Sequence, residues 1–270
     1  MKHISLLITL IIANITFSNG AEINLRSARI IVSESIKSPM RETIVSILQE
    51  EIQERTTIKL AETTSWSGSN PVIAVVFASD AQLIDVNTPV RKGGDLPEGK
   101  AEGFRIVSNK VDGRNTLWLI GADERGVIYA IGQFLRIADM SKKKLLFDDG
   151  YELATSPEYA IRGHQFGYRD RANSWDAWSV EEFDKHFREM ALFGANCIEN
   201  IPFEDKRNGY HMKVDRAEMN NKMGDICEKY GMDYWVWTPA EVDLSDKAKF
   251  DAEIKRHSKF YKGCTNLDNV

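Results

Sequence analysis

Cysteine is scarce in this chain: Cys197, Cys227 and Cys264 are odd in number, widely spaced and never form a CxxC pair. That spacing excludes a disulfide framework and a thiolate metal site, and leaves buried free thiols or a single disulfide open. Histidine is almost as rare, with five in 270 residues, and neither an HExxH motif nor a close pair occurs, so no metal site is expected. No GxSxG turn is present to carry an acyl-transfer serine. No glycine-rich turn follows a predicted strand, which disfavours a nucleotide site. Positive charge is not in excess: the formal net charge is −5, which argues against nucleic acid as partner. Nothing here asks for a cofactor, and none is expected.

Long apolar runs are absent except at the start, where Lys2 and His3 precede ISLLITLIIANITF and then Ser18, Asn19 and Gly20. A short basic region, an apolar core and small residues before a cut describe a secretory signal peptide over 1–20. The run is shorter than the ~20 apolar residues a comfortable membrane span needs. A secreted or periplasmic protein with no span after cleavage is the expectation. The remaining 21–270 can hold one large domain or two ordinary ones.

Two patterns fill that length. Over 21–150, RIIV (29–32) and PVIAVVFA (71–78) read as strands. A helix from Pro39 to about Glu54 carries apolar residues at helical spacing, with Ser38 as its expected cap. GFRIVS and TLWLIG flank Asp112-Gly113 as a hairpin, and a helix capped by Asp123 follows. This order predicts a small α/β sandwich. Polar residues 142–158 read as a connection. From 158 to 270 the chain repeats strand, helix, glycine: strands at 161–168, 195–203 and 232–239, with helix-ending glycines at Gly194, Gly231 and Gly263. Ser179 with Glu182 and Asp215 with Glu218 read as capping boxes. Parallel strands need crossover helices, so the rhythm predicts the first three βα units of a TIM-type barrel. A whole barrel takes ~250 residues, so an N-terminal fragment of a longer protein is expected.

Barrels of this kind work at the loops after their strands. YRDRANSWDAW (168–178) places Arg169, Asp170, Arg171, Asn173, Trp175, Asp176 and Trp178 after the first strand. Planar hydrogen-bonding groups and indole faces suit sugars, and arginines suit a uronic carboxylate; ion pairing within the segment, with the tryptophans bracing a helix, is the plainer alternative. Arg162 and His164 share strand parity with Phe166 and reach a pocket if that set points inward. Glu199, Asn200, Glu204 and Asp205 cluster after the second strand, and Trp235, Trp237 and Glu241 after the third. Glycoside hydrolysis needs two carboxyl groups, and Glu199 or Asp205 is a candidate for one.

DERGVIYAIGQFLR, then PEYAIRGHQFGYRDRANSWDAW and FGANCIENIPFED, resembles two-domain glycoside hydrolases of the α-glucuronidase and β-N-acetylhexosaminidase kind, over 22–270. The sharpest matches are Arg125, Gly126 and Ala130, and Tyr159, Arg162 and Gly163. The resemblance implies an N-terminal α/β domain before a catalytic barrel, a carbohydrate substrate, and a sugar-binding role for Arg162. With the residue chemistry above, the candidate substrate-binding set is Arg162, His164, Arg169, Asn173, Glu199, Asn200 and Trp237. Two positions depart from the pattern: Gly167 stands where those enzymes have an Asp, and Glu199 or Asn200 where they have a His. Their general acid lies at or beyond strand four, so no catalytic carboxylate carries over. An exported α-glucuronidase-like hydrolase, inactive in this length, is the leading expectation; a non-catalytic carbohydrate-binding or assembly module is the alternative.

Overall fold

A computed structural model describes residues 21–89, 97–166, 174–200, 213–236, 242–243 and 245–261. The segment read as a signal peptide, and Gly263 and Cys264, lie outside them. Strands β1 (Glu22–Asn24) and β2 (Arg29–Val32) lead into helix α1 (Met40–Thr56). Next come β3 (Ala61–Glu62), β4 (Val72–Phe77), β5 (Gln82–Leu83), β6 (Val86–Asn87), β7 (Phe104–Val111), β8 (Arg114–Gly121) and helix α2 (Glu124–Ile137). The chain continues through β9 (Asp139–Ser141), β10 (Lys144–Asp148), β11 (Glu152–Thr155) and β12 (Gly163–Gln165). Helix α3 (Val180–Leu192), β13 (Cys197–Asn200), α4 (Arg216–Lys229), β14 (Asp233–Val236) and α5 (Lys247–Tyr261) complete it. None of the described helices is long and apolar enough to cross a membrane.

The main sheet has six strands in the order β11-β7-β8-β4-β2-β3. β4 sits inside it, parallel to both β2 and β8. Its run VIAVVF is apolar on both faces because both faces are covered. α1 and α2 bury Ile44, Ile47, Ile131 and Phe134 on one side; Trp66 stacks on Trp118 at 5.7 Å on the other. The β7–β8 hairpin forms as its turn predicts: Asp112 and Gly113 both hold positive φ, 50° and 77°, the twist-matched two-residue turn. Asp123 caps α2 by accepting from the Gly126 amide at 2.9 Å.

Local expectations fail at three places. Ser38 does not cap α1; its hydroxyl donates to Glu42, and Pro39 occupies the cap position. Asp215 accepts from the Ala217 amide at 2.9 Å and so caps α4 without a partner box at Glu218. Residues 142–158 are not a connection: β10 pairs with β1 and β9, and β11 extends the main sheet beside β7. β10 is the middle strand of its three-stranded sheet, while β11 lies at the edge of the main sheet with no fully buried residue.

β12, β13 and β14 form a separate parallel sheet in that order, with α3 and α4 as crossovers. Ser179 and Glu182 make the full capping box at the start of α3. Gly194 and Gly231 follow α3 and α4 with φ of 94° and 67°, a conformation that side chains resist. α3 rests on α2 at Gly132, where an added Cβ would lie 1.9 Å from the Leu192 carbonyl oxygen. Arg188 on α3 reaches Glu50 on α1 at 2.6 Å and Tyr230 after α4 at 3.3 Å. Burial disfavours its charge, but these partners outweigh burial and raise its pKa above the ordinary guanidinium value.

Gly132→Ala is expected to destabilise the chain by about 1–3 kcal/mol, because the obstruction is backbone and cannot rotate away. Urea unfolding of the variant measures this; an unchanged midpoint would show that the two helices do not meet this closely.

Candidate functional site

The parallel sheet is held at its amino end by one carboxylate from the other sheet's side of the molecule. Glu102, at positive φ (59°) just before β7, accepts from Arg125 and Asn196 on Oε1, each at 3.0 Å, and from Arg162 on Oε2. Each donor is tied to a different strand start. Arg125 also bonds the Gly231 carbonyl and Asp233 at the entry to β14. Asn196 Oδ1 accepts the Arg162 amide at 2.9 Å, joining β13 to β12. Arg162 donates to the carbonyls of Gly194 (2.8 Å) and Tyr159 and to the Tyr129 hydroxyl (3.0 Å). Burial raises the Glu102 pKa, but donation from Asn196, Arg125 and Arg162 outweighs burial and holds it below the ordinary carboxylate range. Burial, followed by the Glu102 charge, pushes the Tyr129 hydroxyl well above the ordinary phenol range.

From these fixed starts, alternation sends side chains to two faces. One set faces the helices. His164 meets His186 of α3 at 5.5 Å, and Phe166 meets Phe183 at 5.5 Å and Phe187 at 5.8 Å. Asn200 Nδ2 donates to Asn220 Oδ1 of α4 at 2.9 Å, which also accepts from the Tyr234 hydroxyl at 2.6 Å. The other set lies on the open face in two registered rows. Gly163, Cys197 and Asp233 form the lower row; a Cβ at Gly163 would sit 2.3 Å from the Cys197 sulfur. Gln165, Glu199 and Trp235 form the upper row, at the carboxyl ends of the strands. Gln165 is exposed, while Glu199 and Trp235 are half-buried.

The upper row is the candidate site. It aligns an amide, a carboxylate and an indole across three adjacent strands, offering a donor–acceptor, a charged acceptor and an apolar plate. Among the described residues no ion pair engages Glu199. Strands here are about 4.8 Å apart, so the row spans about 10 Å from β12 to β14.

Of the expected site residues, Glu199 stands in this row. His164 and Asn200 do not: both lie on the helix side, because the aromatic set of β12 buries beneath α3 and the amide of Asn200 completes a polar cluster with α4. Polar and apolar residues mix on both faces of these strands, so the sequence pattern alone leaves the parity open. Arg162 sits at the amino end of the sheet with its donors engaged, instead of at the carboxyl ends. Arg169, Asn173 and Trp237, with Glu204, Asp205 and Glu241, lie outside the described residues. Trp175 and Trp178 lie against Phe166, at 5.5 and 6.4 Å, and Trp178 also meets Phe183 of α3 at 5.3 Å; Arg169 and Arg171, whose ion pairs the plainer reading invokes, lie outside the described residues. Gln165 and Glu102 were not singled out by sequence. Gln165 was recoverable from the strand spacing that aligns it with Glu199; Glu102, in a stretch that reads as loop, gave no local signal.

No protein-family model matches the sequence, and no curated protein matches it significantly. Solved structures do. CpGH84B matches at 16% identity and a TM-score of 0.59, over 93% of this chain and 41% of that one. A mutant β-hexosaminidase from Streptomyces plicatus, in complex with its product GlcNAc, matches at 12% identity and a TM-score of 0.52, over 80% and 42%. A β-N-acetylhexosaminidase from Bacteroides fragilis matches at 13% and 0.51, over 80% and 42%. These structural neighbours are glycoside hydrolases, and the likeness is one of fold. The chain spans about two-fifths of the length of each.

Glu102→Ala is expected to cost on the order of 3 kcal/mol, since it leaves two half-buried guanidinium groups and an amide without their acceptor. A carboxyl with a lowered folded pKa contributes stability that is complete above its unfolded pKa, about 4.5, and is lost as pH falls through the folded value. The wild-type chain should therefore lose stability below about pH 4.5, and Glu102→Gln should lose less over the same range. Urea midpoints between pH 7 and 3.5 measure the difference; a constant gap between the two proteins would remove Glu102 from this role.

Proposed function

We propose that this chain belongs to an exported glycoside hydrolase and forms one wall of its saccharide pocket. In this reading, 21–150 is an N-terminal α/β domain and 158–270 begins a (β/α)8 barrel, with β12, β13 and β14 as its first strands. The single observation that carries the proposal is the registered row of Gln165, Glu199 and Trp235 at the carboxyl ends of parallel strands, the end at which such barrels bind their substrates. A carboxylate and an amide hydrogen-bond ring hydroxyls, and an indole stacks on the apolar C–H face.

The finer assignment has two forms. The α-glucuronidase-like form rests on sequence resemblance and on Arg169 and Arg171 as captors of a uronic carboxylate. A β-N-acetylhexosaminide is favoured by the neighbours named as hexosaminidases, one of them holding GlcNAc. Of the two, the hexosaminide reading has the more independent support. The acid and base of hydrolysis are assigned to no residue of this chain, so the role proposed for the row is binding and orientation.

Titration of the chain with N-acetylglucosamine and with glucuronic acid, followed by calorimetry or NMR, tests this. Glu199→Gln and Trp235→Ala should each weaken binding of the preferred sugar about tenfold or more, the worth of one charged hydrogen bond or one buried aromatic contact. Preference for glucuronic acid would restore the α-glucuronidase form. Binding of neither sugar, or affinities that both substitutions leave unchanged, would sink the proposal.

A further inference from the structure

The main sheet carries a second cleft, and its position follows from the order of the strands. β2 and β4 are neighbours and run parallel. The chain leaving β2 enters α1, whose Ile44 and Leu48 bury in the larger core. The chain leaving β4 runs to β5, whose Leu83 buries in the smaller core on the opposite face. Two adjacent parallel strands whose exits part to opposite faces leave a crevice beyond their carboxyl ends, and open α/β sheets bind ligands in such crevices. A cleft of about 730 Å³ occupies this place. That volume lies within the ~300–1,000 Å³ of typical small-molecule sites.

The mouth is braced without any ligand. Ser35 Oγ donates to Asp80 Oδ2 at 2.8 Å, and the same oxygen accepts the Phe77 amide at 2.9 Å, so the two exits are tied together. Arg41 donates to the carbonyls of Val32 and Ser33 at 3.0 and 3.1 Å and pairs with Glu62 at 2.5 Å. Its guanidinium is thus occupied within the wall of the cleft.

The lining narrows the ligand. Val32, Ile36 and Leu83 give apolar walls, while Thr64 presents a hydroxyl and Gln82 an amide whose Nε2 donates to Asn87 at 3.0 Å and whose oxygen stays open to a donor. Glu34 and Lys37, both exposed at the rim, are of opposite sign. A phosphate or carboxylate would find Arg41 engaged and Glu34 repelling it. A neutral ligand with hydroxyls around an apolar ring meets a donor, an acceptor and a wall. We infer that this cleft binds a short neutral oligosaccharide, at a site separate from the row of Gln165, Glu199 and Trp235.

The test is calorimetric titration of the chain with N,N′-diacetylchitobiose, cellobiose and xylobiose, and with inorganic phosphate. Four proteins are compared: wild type, Thr64→Ala/Gln82→Ala, Gln82→Trp, which fills the cleft from an exposed position, and Glu199→Gln. At least one disaccharide should bind, the double variant should weaken it about tenfold, and Gln82→Trp should abolish it, while Glu199→Gln leaves this binding unchanged. Unfolding midpoints equal to wild type confirm that the variants fold. The inference is overturned if no disaccharide binds, if only phosphate binds, or if Glu199→Gln removes the binding while the cleft variants do not. The last outcome would leave the strand-end proposal standing and remove only this one.

Discussion

The carboxylate of Glu102 is the point on which the arrangement of the parallel sheet depends. Arg125, Asn196 and Arg162 converge on its two oxygens, and each is bonded onward to the start of a different strand. Strand starts that share one acceptor cannot slide independently. In a parallel sheet a slip of one residue would exchange the faces, moving Gln165, Glu199 and Trp235 under the helices and the aromatic set into the open. The main sheet therefore does more than precede the parallel one. Through a loop residue held at positive φ, it sets the register on which the candidate site is built.

Close backbone approach reinforces the same register. Gly163 leaves room for the Cys197 side chain in the lower row, and Gly132 lets α2 lie against the end of α3. Arg188 spans α1, α3 and the residue after α4 with charge-assisted bonds. These contacts cross between the two sheets at several points, so the parallel layer is fastened at its amino end and along its helices. Its carboxyl end carries the row of Gln165, Glu199 and Trp235. Catalytic scaffolds commonly divide this way, with rigidity gathered at one end of a sheet and ligand contacts at the other.

Much of the fold was legible because it is local. Gly194 and Gly231 mark helix ends through a backbone conformation that side chains resist, Asp112-Gly113 specifies its turn, and Ser179 with Glu182 specifies a helix start. Repeated strand and helix lengths then require parallel pairing. The misread elements are those whose stability comes from distant partners. β10 and β11 find their place through strands far away in sequence, β10 beside β1 and β11 beside β7. Ser38 has the residue type of a cap but bonds Glu42 instead.

The site divides along the same line. Sequence alone determined that chemistry-bearing residues gather after the strands of a repeated βα pattern, and it singled out Glu199. Tertiary structure decided which face each strand residue takes: His164 and Asn200 went to the helices, Arg162 to the junction, and Gln165 to the row. The physical reason is that polar and apolar residues mix on both faces of these strands, His164, Phe166 and Asn200 on one and Gln165, Glu199 and Trp235 on the other, so the parity is set by helix packing and by the anchored strand starts. Neither is written in the strand itself.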